Sequence, residues 1–563
     1  MPVAEWCIPR AAAAPVCRHL EMTVILSVDA KPYTDQTLGT SGLRKPTGHM
    51  MQPHYVALFI QSAFEELGVA GATLVVGGDG RFFNDQAIQT ILKMAVAHEV
   101  GHVVVGRGGL LSTPAASALI RARKAKAGII LSASHNPGGP DGDSGIKINA
   151  AHGGPIPLAV SDAIHARTRT CVRYAIADIP DLPLGQDGRH QIGATLVEVI
   201  DSVADYVGLM ESLFDFDRIA GLFRSGFTMR FDAMNAVTGP YATELFHRRL
   251  GLPEAHLMNR VPLPDFGGLH PDPNPHHAAA LVDLVAGRSE ADFGAASDGD
   301  GDRNLIIGRG LVVSPSDSLA VIAANAHLVP GYRDGLAGVA RSMPTSRALD
   351  RVAAALGIDC HVTPTGWKFF ANLLEAGLIT ICGEESAGTG SNHVREKDGL
   401  WAVMMWLNIL AERRLSVGQV LRDHWQAYGR DYYQRLDFEE VDTAGAEDLM
   451  ATLRGRLPVL ANELAGRLTV TDANDFAYTD PVDGSSATKQ GVQIVADEAR
   501  IVYRLSGTGT RGATLRVYLE RFAPRGADHG LLPAEALAEV QEIAMQVAEV
   551  TRFTGRTSPS VIS

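Results

Sequence analysis

Strand-like and helix-like segments alternate over the first quarter of the chain. Short apolar runs have the length and composition of buried strands, and the stretches between them carry apolar residues at the spacing of an amphipathic helix. The predicted elements are, in order, helix 55–67, strand 73–77, helix 86–98, strand 102–105, helix 114–124 and strand 128–131. This alternation predicts a mostly parallel sheet with helices covering both faces.

The same arrangement recurs twice further along the chain. A second unit begins near Thr228 and reaches the strand-like sequence FGAAS just before Asp298. A third begins near Leu336 and reaches the apolar run that ends before Glu384. A helical run, 196–209, is predicted between the first two units. Because each unit sends one polar loop off the end of a strand, we expect a diverged internal repeat whose loops face a common cleft.

The last segment, from about Asp437, has a different pattern of predicted strands and helices. Short strands are predicted at 494–496, 501–505 and 514–519, between helices at 446–457 and 534–551. The first of these helices is expected to stop before Pro458, because proline disrupts a helix interior. The fold class expected is therefore α/β with four domains: three similar mixed or parallel α/β units and a C-terminal α+β domain around a central cleft. The boundaries expected are 22–205, 206–320, 321–436 and 437–563.

Composition narrows the class of protein. The chain has 563 residues, of which 46% are hydrophobic, and a formal charge of −13. That charge disfavours a nucleic-acid or anionic-membrane partner, and no apolar run approaches the roughly 20 residues of a membrane span. The five scattered cysteines lack metal-ligand spacing and indicate reduced thiols in a cytoplasmic protein. Residues 1–21 lack the apolar core of a secretory signal, and we expect a disordered extension or a misassigned start codon.

The loop after strand 128–131 carries the first candidate chemistry. In the sequence LSASHNPGGPDGDSGIKIN, Ser134 lies just past the strand, beside His135, and Lys147 follows thirteen residues later. Ligands of open α/β sheets bind at that edge. A hydroxyl flanked by an imidazole and an ammonium group is a candidate nucleophile or phosphate carrier. The alternative is an ordinary surface serine in a turn.

The loop after FGAAS suits a hard cation. Asp298, Asp300 and Asp302 alternate with glycines, so their carboxylates can fold onto one ion. An EF-hand is excluded, because the positions that require glycine and glutamate hold Arg303 and Arg309. An acidic surface turn is the remaining alternative. Carboxylates with an adjacent arginine favour Mg²⁺ that keeps open positions for a phosphate oxygen.

The third loop offers groups that suit a sugar and an anion. Glu384, Glu385 and Ser386 can hydrogen-bond to sugar hydroxyls. His393, Arg395 and Lys397 follow directly, before a helix predicted at 400–413. Cations at a helix N-terminus are electrostatically unfavourable, which favours an anionic ligand there over a merely solvated helix start.

Two glycine-containing loops could hold phosphate. GTSGLRK, from Gly39, combines backbone amides with Arg44, although a solvated turn is equally compatible. RLSGTGTRGATLR formally contains a G-x-G-x-x-G pattern, but a strand follows where a dinucleotide-binding loop must open a helix. Arg504 and Arg516 therefore indicate a phosphate clamp, with a tight hairpin bearing exposed arginines as the alternative.

These motifs together resemble the α-D-phosphohexomutase family. The resemblance covers about Tyr33 to Phe553 and rests on GTSGLRK, SASHNPGG with GIKIN, SDGDGDRN, TPTGWKFF, CGEESAGTGSNHVREKDGLW and RLSGTGTRGATLR, in that order. It implies four domains around a deep cleft. It further implies that Ser134 is phosphorylated, and that Asp298, Asp300, Asp302 and a phosphoserine oxygen bind Mg²⁺.

The resemblance also implies roles for the other loops. Glu384 and Ser386 resemble the pair that reads the sugar. The phosphate loop of the fourth domain corresponds to Arg504, Ser506, Gly507, Thr508 and Arg516. Further active-site positions are Thr40, Arg44, His135, Lys147, Arg303, Thr365, Gly366, His393 and Lys397. Ala387, where relatives usually carry an aromatic residue, and Arg511, a charge among small residues, depart from the family pattern.

The GEES form of the sugar loop points to the glucose branch of the family. The implied reaction interconverts α-D-glucose 1-phosphate and α-D-glucose 6-phosphate, with glucose 1,6-bisphosphate as intermediate and activator. Alternatives are a mutase for another hexose phosphate, a glucose 1,6-bisphosphate synthase, or a non-catalytic binding relative. The implied partners are small sugar phosphates, and we expect a monomer or weak homodimer. Either His135 or Lys147 could move the hydroxyl proton.

Overall fold

The structure is a computed structural model that describes residues 16–19, 23–39, 42–464, 467–506 and 512–563. The strands described in the first domain are β1 (Val16–His19), β2 (Ile25–Asp29), β3 (Leu43–Pro46), β4 (Thr73–Gly78), β5 (His102–Leu110), β6 (Ala127–Leu131), β7 (Asp143–Ala150), β8 (Arg173–Ala177), β9 (Gly188–Ile192) and β10 (Thr195–Ile200). Its helices are α1 (Thr47–Met50), α2 (Tyr55–Leu67), α3 (Asn84–Ala97), α4 (Thr113–Ala122) and α5 (Leu158–Thr168).

Eight of these strands form one mixed sheet in the order β1-β9-β10-β5-β4-β6-β7-β3, and β2 pairs with β8. Alternate residues of the central strands enter different cores. Leu74 and Val76 of β4 pack with helices α2 and α3, whereas Val75 packs with α4 on the opposite face. This period of two explains why the strand is apolar throughout.

The second domain is smaller. Its helices are α6 (Ser202–Leu213), α7 (Phe216–Arg224), α8 (Thr238–Ala242), which continues as the π-helix Thr243–Arg249, and α9 (Ala279–Val282), which continues as the π-helix Asp283–Gly287. Its strands are β11 (Met229–Asp232), β12 (Leu257–Met258), β13 (Phe293–Ser297), β14 (Asn304–Gly308) and β15 (Leu311–Val313), in the order β12-β11-β13-β14-β15.

The third domain carries the most buried helix. Its helices are α10 (Pro315–Asn325), α11 (Ala348–Leu356), α12 (Trp367–Glu375), α13 (Gly399–Arg413) and α14 (Val417–Tyr428). Its strands are β16 (Gly338–Ser342), β17 (Asp359–Thr363), β18 (Ile381–Gly383) and β19 (Thr389–Ser391), in the order β17-β16-β18-β19. Single 3₁₀ turns lie at Glu254–His256, Phe266–Gly268, Ala326–Leu328 and Pro330–Tyr332. Trp401 and Trp406 of α13 are fully buried in a core shared by the first three domains.

The fourth domain is an antiparallel sheet with helices. Its strands are β20 (Arg430–Val441), β21 (Val470–Asp475), β22 (Tyr478–Thr479), β23 (Ser486–Ala487), β24 (Val492–Ala496), β25 (Ala499–Ser506), β26 (Ala513–Ala523) and β27 (Val561–Ile562). Its helices are α15 (Thr443–Glu463), α16 (Pro533–Val547) and α17 (Val550–Thr554). The main sheet has the order β21-β24-β25-β26-β20-β27, and β22 pairs with β23. The four-domain α/β architecture predicted from the sequence is confirmed.

The first three domains share one strand arrangement. In each, a central strand lies between two parallel neighbours, and a hairpin then leads into an antiparallel strand. The corresponding orders are β5-β4-β6-β7, β12-β11-β13-β14 and β17-β16-β18-β19. The three hairpin loops are those that begin with Ser132, Asp298 and Glu384. This shared order agrees with the predicted internal repeat.

Three local expectations differ from the structure. Residues 196–200 form strand β10, not helix, because their β-branched residues extend the first sheet and Asp201 caps the helix that follows. Helix α15 continues through Pro458. Leu453 and Leu460, on either side of that proline, are buried in the fourth domain's core, and this packing offsets the cost of an interior proline.

The third difference lies near the N-terminus. Residues 16–19, expected to belong to a disordered extension or to follow a misassigned start codon, form the edge strand β1 beside β9. The remainder of that extension and the proposed domain boundaries stay predictions. Within the described residues, none of the helices combines the length and hydropathy that a bilayer crossing requires.

Candidate active site

The first two hairpin loops meet at Ser134. Its hydroxyl lies 3.0 Å from Oδ2 of Asp298, and Nδ1 of His135 lies 3.4 Å from the same hydroxyl. Ser134 is buried and adopts a left-handed backbone conformation with φ of 54°. Its N–H donates to Ser132 Oγ at 2.7 Å. A left-handed serine is uncommon, and such strain is characteristic of functional sites.

The second loop approaches the serine closely because it contains glycine. A Cβ atom on Gly299 would lie 2.3 Å from the carbonyl oxygen of Ser134. Any side chain there would push the carboxylate loop away from the serine. The alternation of Asp and Gly in the sequence is thus explained by both chemistry and contact distance.

The three carboxylates of Asp298, Asp300 and Asp302 converge. One oxygen from each lies within 4.8 Å of the others, and all three side chains are buried. The backbone N–H groups of Asp302 and Arg303 donate to Asp298 Oδ1 at 2.9 and 3.0 Å, which fixes the loop. Burial, and repulsion from Asp302 and Asp300, raise the pKa of Asp298 well above its ordinary value. Positive charge must compensate such a buried cluster, and its converging oxygens could hold a metal ion.

These residues fit a hard divalent ion such as Mg²⁺. Asp300 Oδ1 and Asp302 Oδ1 are buried and have no hydrogen-bond partner among the described residues. Buried carboxylate oxygens are normally satisfied. All-oxygen ligand sets select Mg²⁺ or Ca²⁺ over softer metals.

Lysines surround the carboxylates. Lys147 on β7 bonds to Asp300 and lies 3.2 Å from Asp302 Oδ2. Lys397 lies 3.2 Å from the same oxygen of Asp302. Burial disfavours the charged form of Lys147, but Asp300 and Asp302 outweigh it and raise its pKa. Lys147 therefore stays an ammonium ion at neutral pH.

The pKa of His135 shifts in the opposite direction to that of Lys147. Burial, reinforced by the positive charges of Arg303 and Arg44, lowers its pKa well below its ordinary value. The imidazole is therefore neutral at physiological pH.

Arg303 and Arg44 bring further positive charge to the cleft. Arg303 pairs with Asp272 at 3.3 Å. Burial lowers the pKa of Arg44, which lies on β3 beside β7, while Asp300 opposes the shift and Arg303 reinforces it. The Nε atoms of both arginines are buried without a hydrogen-bond partner among the described residues. They are available to an anionic ligand.

The third loop positions the predicted sugar-reading groups. Glu384 accepts from the backbone N–H of Gly366 at 2.9 Å, and Ser386 Oγ donates to it at 3.4 Å. Burial raises the pKa of Glu384. Thr365 Oγ1 is buried with no partner in the described part of the chain. The predicted residues of the TPTG and GEES motifs are thus neighbours.

His393, expected to be an active-site position, is held inside the third domain. Its Nδ1 lies 2.6 Å from Ser391 Oγ and its Nε2 lies 3.0 Å from Asp398, and the ring stacks on Trp401. Both nitrogens are engaged inside the third domain, and the side chain is only 1% exposed. These contacts favour a structural role, because no ring nitrogen is left for a ligand.

The fourth domain places Arg504 within electrostatic range of Glu385 in the third loop. Arg504 donates to Gln490 O at 3.1 Å and to the Tyr518 hydroxyl at 3.3 Å. Burial disfavours its charged form, but Tyr518 and Glu385 outweigh that effect and raise its pKa. Arg516 pairs with Asp437 at 3.7 Å. Ser506 ends strand β25, whereas Gly507, Thr508 and Thr40 lie outside the described residues.

Sequence reasoning missed two residues that contact the site. Thr113, the first residue of α4, bonds to the carboxylate of Asp300 through its hydroxyl. Arg81, in the loop after β4, donates to the carbonyl of Ser134 at 2.7 Å. Both residues follow strands that end at the same sheet edge as Ser134. Their positions just after those strands could have indicated that they lie near the site.

Fold and site together define a class: a four-domain α/β protein with a buried serine beside a carboxylate triad. Family models match the chain in order. They are phosphoglucomutase/phosphomannomutase domains I (residues 35–174), II (204–310) and III (315–428), and the phosphoglucomutase-1 C-terminal domain (430–560). The chain belongs to the phosphoglucomutase/phosphomannomutase family, as its sequence resemblance predicted.

Individual relatives support the same family. The chain is 54% identical to a phosphoglucomutase of Rhizobium radiobacter, covering 96% of this chain and 100% of that protein. It is 47% identical to human phosphoglucomutase-1, covering 96% and 100%. The crystal structure of Paramecium parafusin, a phosphoglucomutase, in an open form matches with a TM-score of 0.89 at 44% identity, covering 98% and 100%.

Proposed function

We propose that this chain is a phosphoglucomutase, an isomerase that interconverts α-D-glucose 1-phosphate and α-D-glucose 6-phosphate through a phosphorylated Ser134. The observation that carries the proposal is the Ser134 hydroxyl, held 3.0 Å from Asp298 at the junction of two hairpin loops. The full-length similarity to phosphoglucomutases supports the choice of reaction.

The first transfer follows from the groups around Ser134. The Oγ–P bond of phosphoserine breaks while a new O–P bond forms to the O6 hydroxyl of glucose 1-phosphate, giving glucose 1,6-bisphosphate. The hydroxyl proton of O6 passes to a base, and the departing Ser134 Oγ takes up a proton. His135 is favoured over Lys147, because its imidazole is neutral and 3.4 Å from Ser134 Oγ, whereas Lys147 stays protonated beside Asp300.

The second transfer reverses the roles of the two phosphates. After reorientation of the bisphosphate, the O1–P bond breaks while an Oγ–P bond forms to Ser134. The serine proton passes to the base, O1 takes up a proton, and glucose 6-phosphate is released. Arg504 and Arg516 suit the phosphate that is not reacting, because guanidinium groups bind phosphate through paired donors. Glu384 and Ser386 are proposed to contact sugar hydroxyls in both orientations.

Charge neutralisation is the main catalytic requirement of phosphoryl transfer. Asp298, Asp300 and Asp302 would hold Mg²⁺, which supplies Lewis-acid stabilisation of phosphate oxygens when bound. Lys147, Lys397 and Arg303 add fixed positive charge. Exclusion of water by the fourth domain would protect the phosphoserine from hydrolysis. The cytoplasmic location and the monomeric or weakly dimeric state remain predictions.

The test is the intact mass of the purified protein before and after incubation with glucose 1,6-bisphosphate, together with a mutase assay. We expect one added phosphoryl group on the peptide that contains Ser134, and glucose 6-phosphate formation from glucose 1-phosphate. Comparison with mannose and glucosamine 1-phosphates tests the sugar preference. Absence of the phosphoryl group and of turnover would refute the proposal.

A further inference from the structure

Arg81 lies at the junction of the first two domains and is fully buried. It follows strand β4, whose carboxyl end adjoins that of β6, the strand that leads to Ser134. A buried guanidinium group carries a large desolvation cost unless every donor is satisfied. The hydrogen-bond partners of Arg81 therefore indicate its role.

Asp79 fixes the orientation of the guanidinium. Its carboxylate accepts from Nε of Arg81 at 2.8 Å, and Nη2 lies 2.8 Å from the same carboxylate. Asp79 is itself buried and accepts from Asn84 Nδ2 at 3.0 Å, which also donates to the carbonyl of Leu131 at 2.9 Å. The plane of the guanidinium is thus anchored to the first sheet.

The remaining donors point into the Ser134 loop. Nη2 donates to the carbonyl of Ser134 at 2.7 Å. Nη1 donates to the carbonyls of Asp143 at 2.8 Å and Asn136 at 3.4 Å. These carbonyls belong to both ends of the hairpin loop between β6 and β7, so one side chain closes the loop and engages the residue whose φ is positive.

Residues of the second domain also contact Arg81 and its neighbour Phe82. The guanidinium carbon of Arg81 lies 5.1 Å from the centre of the Phe266 ring, a cation–π distance. The adjacent Phe82 donates its backbone N–H to Pro264 O at 2.7 Å. A Cβ atom on Gly299 would lie 2.3 Å from the Ser134 carbonyl oxygen and 3.3 Å from Nη2 of Arg81. Arg81 therefore lies where the serine loop meets the carboxylate loop.

We propose that Arg81 is a positioning residue for phosphoryl transfer, which holds the backbone of Ser134 left-handed so that its hydroxyl points at Asp298. This inference rests on the proposed function of Ser134. Arg81 contacts no reacting atom; it acts through the serine carbonyl. A lysine at this position has a compact ammonium group that cannot reproduce a planar fork with several fixed donors.

The experiment compares Arg81→Lys with wild type in single-turnover transfer from glucose 1,6-bisphosphate to dephosphorylated enzyme, measured by rapid quench and intact mass. We expect the transfer rate to fall on the order of 100-fold, as for other small misplacements of a reacting group. The Kd for glucose 6-phosphate should stay within about twofold, because the substrate-binding loops are untouched. Arg107→Lys, at an exposed pair with Asp187, is the matched control and should match wild type.

A general structural role would give a different result. If Arg81→Lys transfers at the wild-type rate, or if transfer and substrate binding fall in equal proportion, the positioning role is wrong. If Arg81→Lys does not fold, the same transfer measurement is made on Asp79→Asn. This variant keeps the arginine but removes the carboxylate that orients it. A selective loss of transfer in Asp79→Asn supports the inference, and unchanged transfer overturns it. Failure of wild type to take up phosphate at Ser134 would instead count against the proposed function.

Discussion

The hydroxyl of Ser134 and the Oδ2 atom of Asp298 lie 3.0 Å apart although 164 residues separate them in the chain. The two residues belong to equivalent hairpin loops of two domains that share one strand order. The contact brings a candidate nucleophile to a cluster of buried carboxylates. The predictions below depend on this junction or on the packing that surrounds it.

Replacement of Ser134 by alanine should abolish phosphoryl uptake from glucose 1,6-bisphosphate and reduce mutase turnover by at least roughly a thousandfold, because the acceptor oxygen is removed. Intact mass and a coupled glucose 6-phosphate assay measure both effects. Ser212→Ala, which removes an exposed hydroxyl that donates to Leu209 O, serves as the control. Turnover near the wild-type rate in Ser134→Ala would exclude the serine as phosphate carrier.

Replacement of Asp300 by asparagine should weaken Mg²⁺ binding and lower activity by roughly 100-fold or more, since a carboxylate of the triad is lost with little change in shape. Added Mg²⁺ should raise the melting temperature of wild type but not of this variant, because a ligand that binds only the folded state stabilises it. Asp187→Asn removes an exposed carboxylate and should keep the full Mg²⁺ response. An equal Mg²⁺ shift in both variants would argue against the proposed site.

Replacement of Arg504 by lysine should raise the KM for glucose 1-phosphate by roughly tenfold or more, the magnitude of one lost charge-assisted hydrogen bond. Phosphorylation of Ser134 should still be possible, because Arg504 lies in the fourth domain, apart from the serine loop. Steady-state kinetics give the KM, and intact mass gives the phosphorylation. The exposed Arg525→Lys is a suitable control. An unchanged KM in Arg504→Lys would count against the clamp.

Acid should destabilise the protein in part through His424. This residue of α14 is 4% exposed, and burial, with a smaller effect of Arg413, lowers its pKa to about 4. In the unfolded chain its pKa returns to about 6.5. As the pH falls below 6.5, the unfolded state binds a proton that the folded state does not, so the free energy of unfolding decreases.

From pH 7.5 to 5.5 this residue should account for a loss of about 1.3 kcal/mol in the free energy of unfolding. His424→Gln should lose less stability than wild type by that amount, as measured by denaturation at both pH values. His327→Gln, at an exposed position, should behave like wild type. If His424→Gln and wild type lose stability equally, the buried neutral histidine is not the source.

Sequence patterns predicted local elements well where a segment's own periodicity decides its structure. The helix expected at 55–67 is observed as Tyr55–Leu67, and the strand expected at 73–77 extends by one residue. The segment 196–200 was misassigned, because its apolar residues fit a helix or a strand, and only the free edge of β5 selected the strand. The helix predicted to end before Pro458 continues through it, because the neighbouring leucines pack in the core of the fourth domain.

Residue types and spacing along the chain predict the chemistry of the candidate site: which loops carry a serine, carboxylates, sugar-binding groups and arginines, and that each follows a strand. Those motifs are contiguous, so their residue types and spacing can be read directly. Which of these groups contact one another depends on how the domains pack. In the structure both ring nitrogens of His393 contact residues of the third domain, Lys147 pairs with Asp300, and Arg81 donates to the carbonyl of Ser134. Such contacts join residues distant in sequence, and their partners are selected by the packing of whole domains.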